Sequence, residues 1–205
     1  MTLHDLLRRC DLVVASPTKL AECKPFICNN EDLNDFFAND ASIYQKRLLG
    51  KTYFFCLKDD PSTIVSAFTL SNDSIRITNK LTDDDKEQFL ESTELSEKNL
   101  RRYPAVLIGR LGTSKQFAGQ GFGSAVMDFI KLWFRTGNKT GCRFIIVDAY
   151  NRPDTLHYYE KNQFKYLIPE ERLEAKYMGI GVSHLPLNTR LMYFDLLEIK
   201  PDIED

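Results

Sequence analysis

The pattern of apolar and polar positions between residues 30 and 50 is typical of an amphipathic helix. Apolar side chains recur every three or four positions, at Leu33, Phe36, Phe37, Ala41, Tyr44 and Leu48, which places them on one helical face. Asn30 is a favoured N-cap residue, and Gly50 is suited to end a helix. Acidic residues in the first turn and basic residues in the last turn also suit the helix dipole. We therefore predict a helix from Asn30 to about Leu49.

Runs rich in β-branched and aromatic residues predict the strands of a mixed sheet. They cover residues 11–15, 52–57, 63–70, 105–111, 143–147, 164–168 and 189–199. The second and third runs flank a short Asp/Pro/Ser turn and predict an antiparallel hairpin. Helical patterns at 124–134 and 155–162 alternate with the later strands. A hairpin followed by strand–helix alternation predicts a mixed α/β fold rather than a purely parallel sheet.

An acidic segment interrupts this order. Residues 83–98 carry seven acidic and two basic side chains. A polar helix over 82–94, capped by Thr82, has only Phe89, Leu90 and Leu95 to bury. Charge runs usually lie in solvent, so we expect an acidic, solvated excursion over about 72–102. The short tail 201–205 is acidic too, which leaves a mildly basic remainder that suits a polyanionic ligand.

Length and composition restrict the class of protein. The 205 residues are most simply one domain, 1–205, and 43% hydrophobic with 27% charged residues is typical of a globular protein. The first ten residues lack the apolar core of a signal peptide, and no apolar run is long enough to span a membrane. We therefore expect a cytoplasmic protein without a membrane partner.

The cysteines and histidines argue against a disulfide framework and a metal site. Five cysteines is an odd number, no C-x-x-C pair occurs, and the three histidines are far apart. This usage favours a reducing compartment. Cys56 and Cys142 lie in predicted strands, so we expect both to be buried thiols.

The stretch Lys115–Ser124 reads K-Q-F-A-G-Q-G-F-G-S and lies between a predicted strand and a predicted helix. A glycine-rich turn that opens a helix exposes backbone N–H groups, so we predict a phosphate or pyrophosphate site. A Walker A loop needs lysine after the glycines, but Ser124 and Ala125 follow Gly123. A dinucleotide fold needs its glycines in the first βα turn, and the upstream pattern here is a hairpin.

Gln116–Gly123 reads Q-x-x-G-x-G-x-G, which resembles the acetyl-CoA pyrophosphate loop of the GNAT acyltransferase superfamily. Two later segments, R-F-I-I-V-D-A and N-R-P-D-T-L-H-Y-Y-E-K-N-Q-F, look like the next strand and the tyrosine-bearing helix of that family. Gln163 replaces the usual glycine, and the gap from Asn151 to Tyr159 is one residue longer than common. The resemblance implies the GNAT fold: a central, mostly antiparallel sheet with a splayed strand pair and helices on both faces.

The resemblance also implies acetyl-CoA as co-substrate, no metal, and a set of site residues. The end of the strand before the loop would pair with pantetheine, the loop would bind the pyrophosphate, and Asn151 would contact the cofactor. These cofactor-binding residues are Leu111, Gly112, Thr113, Gln116, Phe117, Ala118, Gly119, Gln120, Gly121, Phe122, Gly123, Ser124 and Asn151. Tyr159 would be the general acid that protonates the CoA thiolate. Spacing alone fits a core aromatic at Tyr159 equally well.

A more specific resemblance covers roughly Cys23–Phe194. The segments F-I-C-N-N-E-D-L-N-D-F-F-A-N-D-A and R-R-Y-P-A-V-L-I-G-R-L-G-T-S, with Gln45 between them, look like the GNAT toxins of bacterial toxin–antitoxin modules. Asn29 stands for the usual glycine and Gly112 for the usual alanine. This resemblance implies acetylation of the α-amino group of aminoacyl-tRNA, a ribbon-helix-helix antitoxin and a homodimer.

No general base is evident from the sequence. The strand 105–113 contains no Asp or Glu, and Asp148 fits a strand-end cap as well as a base. An acceptor amine that is already partly neutral near pH 7 would need no base, and an α-amino group near pKa 8 meets this condition better than a lysine. We therefore predict activity without an Asp or Glu base, and an aminoacyl ester or similar amine as acceptor.

The acceptor stays open at this point. Basic residues that suit tRNA also suit an ordinary solvated surface: Lys46, Arg47, Lys51, Arg101, Arg102, Arg110, Lys115 and Arg152. The net charge of −2 weakens the tRNA interpretation. The alternatives are a GNAT enzyme that acts on a small amine or a protein N-terminus, and a CoA-binding module whose tyrosine is idle.

Overall fold

A computed structural model describes residues 1–77, 81–91, 100–138 and 141–199. Its α-helices are α1 (Leu3–Arg9), α2 (Pro17–Glu22), α3 (Glu31–Asp35), α4 (Ala41–Lys46), α5 (Asp83–Glu91), α6 (Phe122–Arg135), α7 (Pro153–Lys161) and α8 (Glu171–Met178). Its strands are β1 (Cys10–Val14), β2 (Lys51–Leu57), β3 (Ile64–Arg76), β4 (Arg102–Thr113), β5 (Phe144–Tyr150), β6 (Lys165–Tyr166) and β7 (Thr189–Asp195). A π-helical turn covers Phe36–Asp40, and 3-10 turns cover Lys115–Phe117, Val182–His184 and Leu196–Glu198.

The strands form a mixed sheet in the order β1-β2-β3-β4-β5-β7-β6. The pairs β1–β2, β2–β3, β5–β7 and β6–β7 are antiparallel, and β4–β5 is parallel. The parallel ladder joins Ala105, Val106 and Leu107 to Phe144, Ile145 and Ile146, whereas β4 continues to Thr113 and β5 to Tyr150. The predicted mixed α/β class with a mostly antiparallel sheet is confirmed.

The chain folds into two compact units, and β3 and β4 contribute residues to both. The first unit comprises 1–72 and 108–136, and the second comprises the described residues of 73–107 and 137–205. The first has a core in which Phe37 meets Phe26 and Phe54 edge to face, with ring centroids 5.3 and 6.4 Å apart. The second has its own core around Phe144. The single-domain interpretation stays a prediction.

The helix predicted over 30–49 is present but interrupted. Asn30 caps it by accepting a hydrogen bond from the Leu33 amide, and the apolar face is buried as far as Ala41. The π-helical turn then adds a residue, which rotates the later positions around the axis. Tyr44, which follows this turn, is 38% exposed, and Leu48, which lies beyond the end of the helix, is 92% exposed, so their assignment to the buried face was wrong. The helix ends at Lys46, and Leu48, with φ of +57°, takes the role predicted for Gly50.

The described part of the acidic segment, α5, is attached to the core of the second unit by a buried side chain. The predicted polar helix is present as α5, and Phe89 is buried against Tyr103, Phe144 and Tyr193, at ring centroid distances of 5.4, 5.3 and 5.5 Å. Phe89, one of the three residues that the predicted helix had to bury, is thus in the core, and the interpretation of the segment as a solvated excursion is wrong at this residue. The predicted burial of Leu90 and Leu95 and the acidic tail 201–205 fall outside the described residues.

The N-terminal helices α1 and α2 were not predicted. Thr2 and Asp5 form a capping box for α1, and Ser16 caps α2 with Pro17 in its first turn. Cys56 and Cys142 are buried free thiols, as predicted. Within the described ranges, no helix is long and apolar enough to cross a membrane.

Candidate active site

The glycine loop is fixed to its surroundings through its backbone. The Ser114 amide donates to the Val65 carbonyl of β3, and the Lys115 amide donates to the Ile27 carbonyl, both at 2.8 Å. The Phe117 amide closes a 3-10 turn on the Ser114 carbonyl, also at 2.8 Å. These bonds hold the start of the loop before its glycines are reached.

Two of the loop glycines have a conformation that other residues rarely adopt. Gly119 has φ of +73° and Gly121 has φ of +83°, in the left-handed region where a Cβ atom causes strain. At Gly121 a Cβ would also lie 3.1 Å from the Cβ and 3.2 Å from the nitrogen of Met1. Gly121 is therefore required by both its dihedral angle and its neighbour.

Gly121 is also the N-cap of α6, and no side chain caps this helix. The first intrahelical bond runs from the Ala125 amide to the Gly121 carbonyl, so the amides of Phe122 and Ser124 precede it. Amides at this position, with the positive end of the helix dipole, attract an anion. The first turn carries no acidic residue that would oppose the anion.

A cation lies beside the start of α6. The guanidinium of Arg9, on α1, lies 5.0 Å from the ring centroid of Phe122, the first residue of α6. The loop, the uncapped helix and Arg9 together present backbone donors and positive charge. This donor set fits the two phosphates of a CoA pyrophosphate.

The end of β4 leads into the loop with little space around it. A Cβ on Gly112 would lie 3.3 Å from the Phe26 ring and 3.4 Å from Leu33. Glycine therefore stands here because neighbouring side chains already fill the space that a Cβ atom would take. Thr113 shares a hydrogen bond of 3.2 Å with Ser66 of β3.

Arg110, one residue before Leu111, is held by stacking rather than by full hydrogen bonding. Its guanidinium lies 5.0 Å from the Phe36 ring centroid and 3.8 Å from the Asp32 carboxylate. One of its terminal nitrogens donates to the Gly109 carbonyl, while its buried Nε atom meets no hydrogen-bond partner in the described part of the chain. Sequence reasoning had placed Arg110 only among candidate tRNA contacts.

Tyr159 lies on α7, which begins with Pro153 at its first position. Its ring packs edge to face on Tyr158 and Phe164, at centroid distances of 5.1 and 5.4 Å, and the residue is only 8% exposed. Among the described residues, none forms a hydrogen bond with its hydroxyl. Burial, followed by the nearby Asp148 carboxylate, raises the pKa of Tyr159 well above its usual value. The phenol therefore keeps its proton until a strong base approaches.

Asp148 and Asn151 lie at and just after the end of β5. Partial desolvation, followed by the Asp73 carboxylate, raises the pKa of the exposed Asp148 side chain. The Asn151 amide nitrogen donates to Glu171 Oε1 and to the Leu187 carbonyl, both at 2.8 Å. Both hydrogens of its side-chain amide are thus used within the protein. The cofactor-binding role of Asn151 stays a prediction.

The structure divides the predicted site residues between the two units. Residues 111–124 belong to the first unit, and Asn151 and Tyr159 belong to the second. Sequence reasoning missed Arg9, since it lies in an unpredicted helix. Across the described ranges, no group of three or more His, Cys, Asp or Glu residues is arranged to hold a metal ion.

Neither a family model nor a curated protein matches this sequence. Solved structures with a similar fold include AtaT complexed with acetyl-methionyl-tRNAfMet, with a TM-score of 0.67 and 16% identity over 92% of this chain and 96% of that chain. A mutant AtaT toxin bound to the C-terminus of the antitoxin AtaR and acetyl-CoA has a TM-score of 0.59 and 17% identity over 93% and 95%. A KacTA–DNA complex has a TM-score of 0.60 and 16% identity over 93% and 95%. At these identities the likeness shows the fold, and the chain has the predicted GNAT fold.

Proposed function

We propose that this chain is an acetyl-CoA-dependent N-acetyltransferase that transfers acetyl directly to a primary amine, the α-amino group of an aminoacyl-tRNA. The fold supports this proposal, since the similar AtaT structures hold acetyl-CoA in one case and acetyl-methionyl-tRNAfMet in another. The observation that carries it is the burial of Tyr159, whose hydroxyl forms no hydrogen bond with any described residue.

The role of Tyr159 follows from its protonation. Thioester aminolysis releases a thiolate, and a positioned acid speeds its departure by donating a proton. Because burial and Asp148 both raise the pKa of Tyr159, the residue is a neutral acid at physiological pH rather than a phenolate. Tyr158, which is half-buried beside it, would be the packing residue.

The loop and the end of β4 would anchor the co-substrate. We assign the backbone of Leu111, Gly112 and Thr113 to the pantetheine and thioester carbonyl. The pyrophosphate would be bound by the loop residues Gln116, Phe117, Ala118, Gly119, Gln120, Gly121, Phe122, Gly123 and Ser124. The positive φ angles and the uncapped start of α6 support this assignment. When bound, acetyl-CoA supplies the activated acetyl group.

A second acceptor class has one observation in its favour. The net charge of −2 and the acidic segment at 83–98 suit a small cationic amine or a protein N-terminus better than a polyanionic RNA. The same Tyr159 chemistry would serve either acceptor. The nature of the acceptor therefore decides between a toxin and an ordinary amine acetyltransferase.

We further propose a toxin–antitoxin context, with a ribbon-helix-helix antitoxin as partner, a homodimer as assembly and the cytoplasm as location. The solved complex of AtaT with the C-terminus of AtaR supports the partner, and the KacTA–DNA complex supports a regulatory assembly. The free thiols support a reducing compartment.

The proposal is tested with radiolabelled acetyl-CoA and total tRNA, charged in one sample and deacylated in the other. We expect label only in the charged sample, and its release as N-acetylated amino acid when the ester is cleaved by mild base. Label in a small amine such as methionine amide, but not in charged tRNA, would favour the second acceptor class. Binding of acetyl-CoA without transfer to either acceptor would leave only a CoA-binding module.

A further inference from the structure

Arg110 lies on the face of β4 that α3 covers. Side chains alternate along a strand, so Arg110 and Gly112 share one face. A Cβ on Gly112 would meet Phe26 and Leu33, and Leu33 belongs to α3. The Arg110 guanidinium lies 5.0 Å from the ring centroid of Phe36, which begins the π-helical turn after α3. These residues all belong to the first unit.

Most N–H donors of the Arg110 guanidinium are not used within the described part of the chain. One terminal nitrogen donates to the Gly109 carbonyl at 2.8 Å, and the buried Nε has no hydrogen-bond partner there. The Asp32 carboxylate lies 3.8 Å from Nε, which is an ion-pair distance but too long for a hydrogen bond. The side chain is 37% exposed, and since Nε is buried, this exposure belongs to its other atoms. A ligand from solvent can therefore reach this side chain beside the carboxylate.

A second buried polar atom without a partner lies on α4, which continues the helix that carries Phe36. In the described ranges, three buried side-chain polar atoms lack a hydrogen-bond partner, and two of them are Arg110 Nε and Gln45 Oε1. Gln45 follows Tyr44, whose ring packs edge to face on Phe36 at a centroid distance of 5.1 Å. Native proteins leave few such atoms unpaired. An unused donor and an unused acceptor in one helical layer indicate a polar ligand.

Arg110 also directly precedes the backbone to which we assign the thioester carbonyl. Leu111, Gly112 and Thr113 follow it on β4, in the same unit. Successive residues of a strand are only about 3.3 Å apart along its axis, and the long arginine side chain spans such a distance. A group bound at Arg110 therefore lies within reach of a carbonyl bound by these backbone amides.

We propose that Arg110 and Asp32 form an acceptor subsite that selects α-aminoacyl compounds: the guanidinium donates to the acyl carbonyl oxygen, and the carboxylate attracts the neighbouring ammonium. The inference rests on the proposed acetyltransferase function and deepens it. In such a compound one carbon atom joins the amino nitrogen to the carbonyl group, so the two recognition groups must be close neighbours. The 3.8 Å between Arg110 Nε and the Asp32 carboxylate meets this requirement.

The charges at the acceptor subsite argue against other ligands. Arg110 alone would suit a phosphate of RNA, but the Asp32 carboxylate beside it repels an anion. A simple alkyl amine would pair with the carboxylate and leave the guanidinium without an acceptor. An aminoacyl ester, an aminoacyl amide or a protein N-terminus supplies both groups. The substrate class is therefore an α-amino group next to a carbonyl, rather than an amine on an alkyl chain such as that of lysine.

The kinetic test uses two acceptors that differ in the carbonyl group. Methionine amide has it, and 3-(methylthio)propylamine has the same thioether chain and amine without it. We expect Arg110→Gln to lower kcat/KM for methionine amide about 10- to 100-fold, the usual effect of losing a hydrogen bond from a charged group. The value for 3-(methylthio)propylamine should stay near that of the wild type. Each variant is compared with the wild type on the same acceptor, so the different pKa values of the two amines do not enter.

Two further variants complete this test. Arg110→Lys should recover part of the activity towards methionine amide, because an ammonium can still donate to the carbonyl. Arg8→Gln is the matched control, since Arg8 forms an exposed ion pair of the same 3.8 Å length with Asp5, and it should leave both acceptors unaffected. Equal losses for the two acceptors in Arg110→Gln would show a structural role through the Phe36 stack and would overturn the inference. Unchanged rates for both would overturn it too.

A second measurement does not depend on turnover. In calorimetry with the CoA-bound protein, methionine amide should bind more tightly than N-acetylmethionine amide and more tightly than 3-(methylthio)propylamine. Asp32→Asn should remove the first difference and Arg110→Gln the second. A wild type that binds all three compounds equally would contradict the acceptor subsite. The expected differences without acetyl transfer to any amine would support the subsite and contradict the proposed function instead.

Discussion

The glycine loop and the Tyr159 region differ in the groups that they present: backbone groups in the loop, and side chains around Tyr159. The loop uses backbone amides and positive φ angles, so its requirements are set by glycines at fixed positions within one short segment. The Tyr159 region is built from side chains of α7 and β7 and from Phe164, which come from separate parts of the sequence. A backbone site is therefore visible as a motif, whereas a side-chain site becomes visible only when the sheet brings its members together.

The largest expected effect is a loss of kcat on substitution of Tyr159. Tyr159→Phe removes the hydroxyl that we propose as the acid while keeping the buried ring and its contacts with Tyr158 and Phe164. We expect kcat to fall about 100- to 10,000-fold, with the acetyl-CoA dissociation constant unchanged by calorimetry, since the loop is intact. Tyr158→Phe is the matched control and should keep most of the activity.

A Tyr159→Phe enzyme that transfers acetyl at the wild-type rate would exclude the acid role. A loss of acetyl-CoA affinity together with activity would instead indicate that the tyrosine supports binding, which would remove the contrast between the two regions.

The sequence predicted the loop and most regular elements for a physical reason. The capping residue Asn30, the hairpin β2–β3, the strand β4 before the loop and Pro153 at the start of α7 are all local signals. Each depends on residues within a few positions of one another, so the chain reveals them before it folds. The GNAT fold was recognisable because several such signals occur in the right order.

The missed features depend on tertiary contacts. The π-helical turn at Phe36–Asp40 has no local sequence signature and moved Tyr44 off the predicted core face, and Leu48 lies beyond the end of the helix. The end of β3, with Asp73, looked irregular because its side chains alternate without a continuous apolar run. The packing of Tyr159, through Phe164, on Phe194 of β7 follows from the fold of the sheet, which no local pattern reports.

The next largest effect is expected on the free energy of unfolding, when the buried Glu174–Arg190 ion pair beside the Tyr159 region is broken. Glu174 is fully buried and accepts a bond of 2.6 Å from the Arg190 guanidinium. It also accepts from the amide of Leu191, the residue that pairs with Asp148. Glu174→Ala would leave Arg190 as an uncompensated buried charge, and we expect a loss of about 3–5 kcal/mol in urea unfolding.

Glu198→Ala is the control for this scaffold prediction. It breaks the exposed ion pair between Glu198 and Lys165, which has a distance of 2.7 Å. Because solvent screens such pairs, we expect a change below about 1 kcal/mol. Equal effects of the two substitutions would show that the buried pair does not support β7 as described.

A smaller effect is expected in the loop. Gly121→Ala adds a Cβ to a residue with φ of +83° and places it against Met1, and the left-handed conformation costs about 1–2 kcal/mol. We expect acetyl-CoA affinity to fall about tenfold by calorimetry, because the loop relaxes away from the shape that presents its amides. Gly137→Ala, with φ of +64° and open space, adds similar strain outside the loop and should leave affinity unchanged. Unchanged affinity in both variants would mean that the loop backbone does not bind the co-substrate.

The smallest expected effect is a change in the labelling rate of buried thiols, which report on the local stability of the two regions. Burial raises the pKa of Cys56 to about 12, in the unit that contains the loop, and that of Cys142 to about 11, at the start of β5 in the other unit. At pH 8 a thiol with pKa 11 is about one-thousandth thiolate, so in the native protein iodoacetamide should label the half-exposed Cys23 first. In Glu174→Ala we expect faster labelling of Cys142 by mass spectrometry while Cys56 stays protected, because the scaffold lost is local to the side-chain region. Equal deprotection of both thiols would show that the two regions open together, and the contrast between a backbone site and a side-chain site would then not extend to their stability.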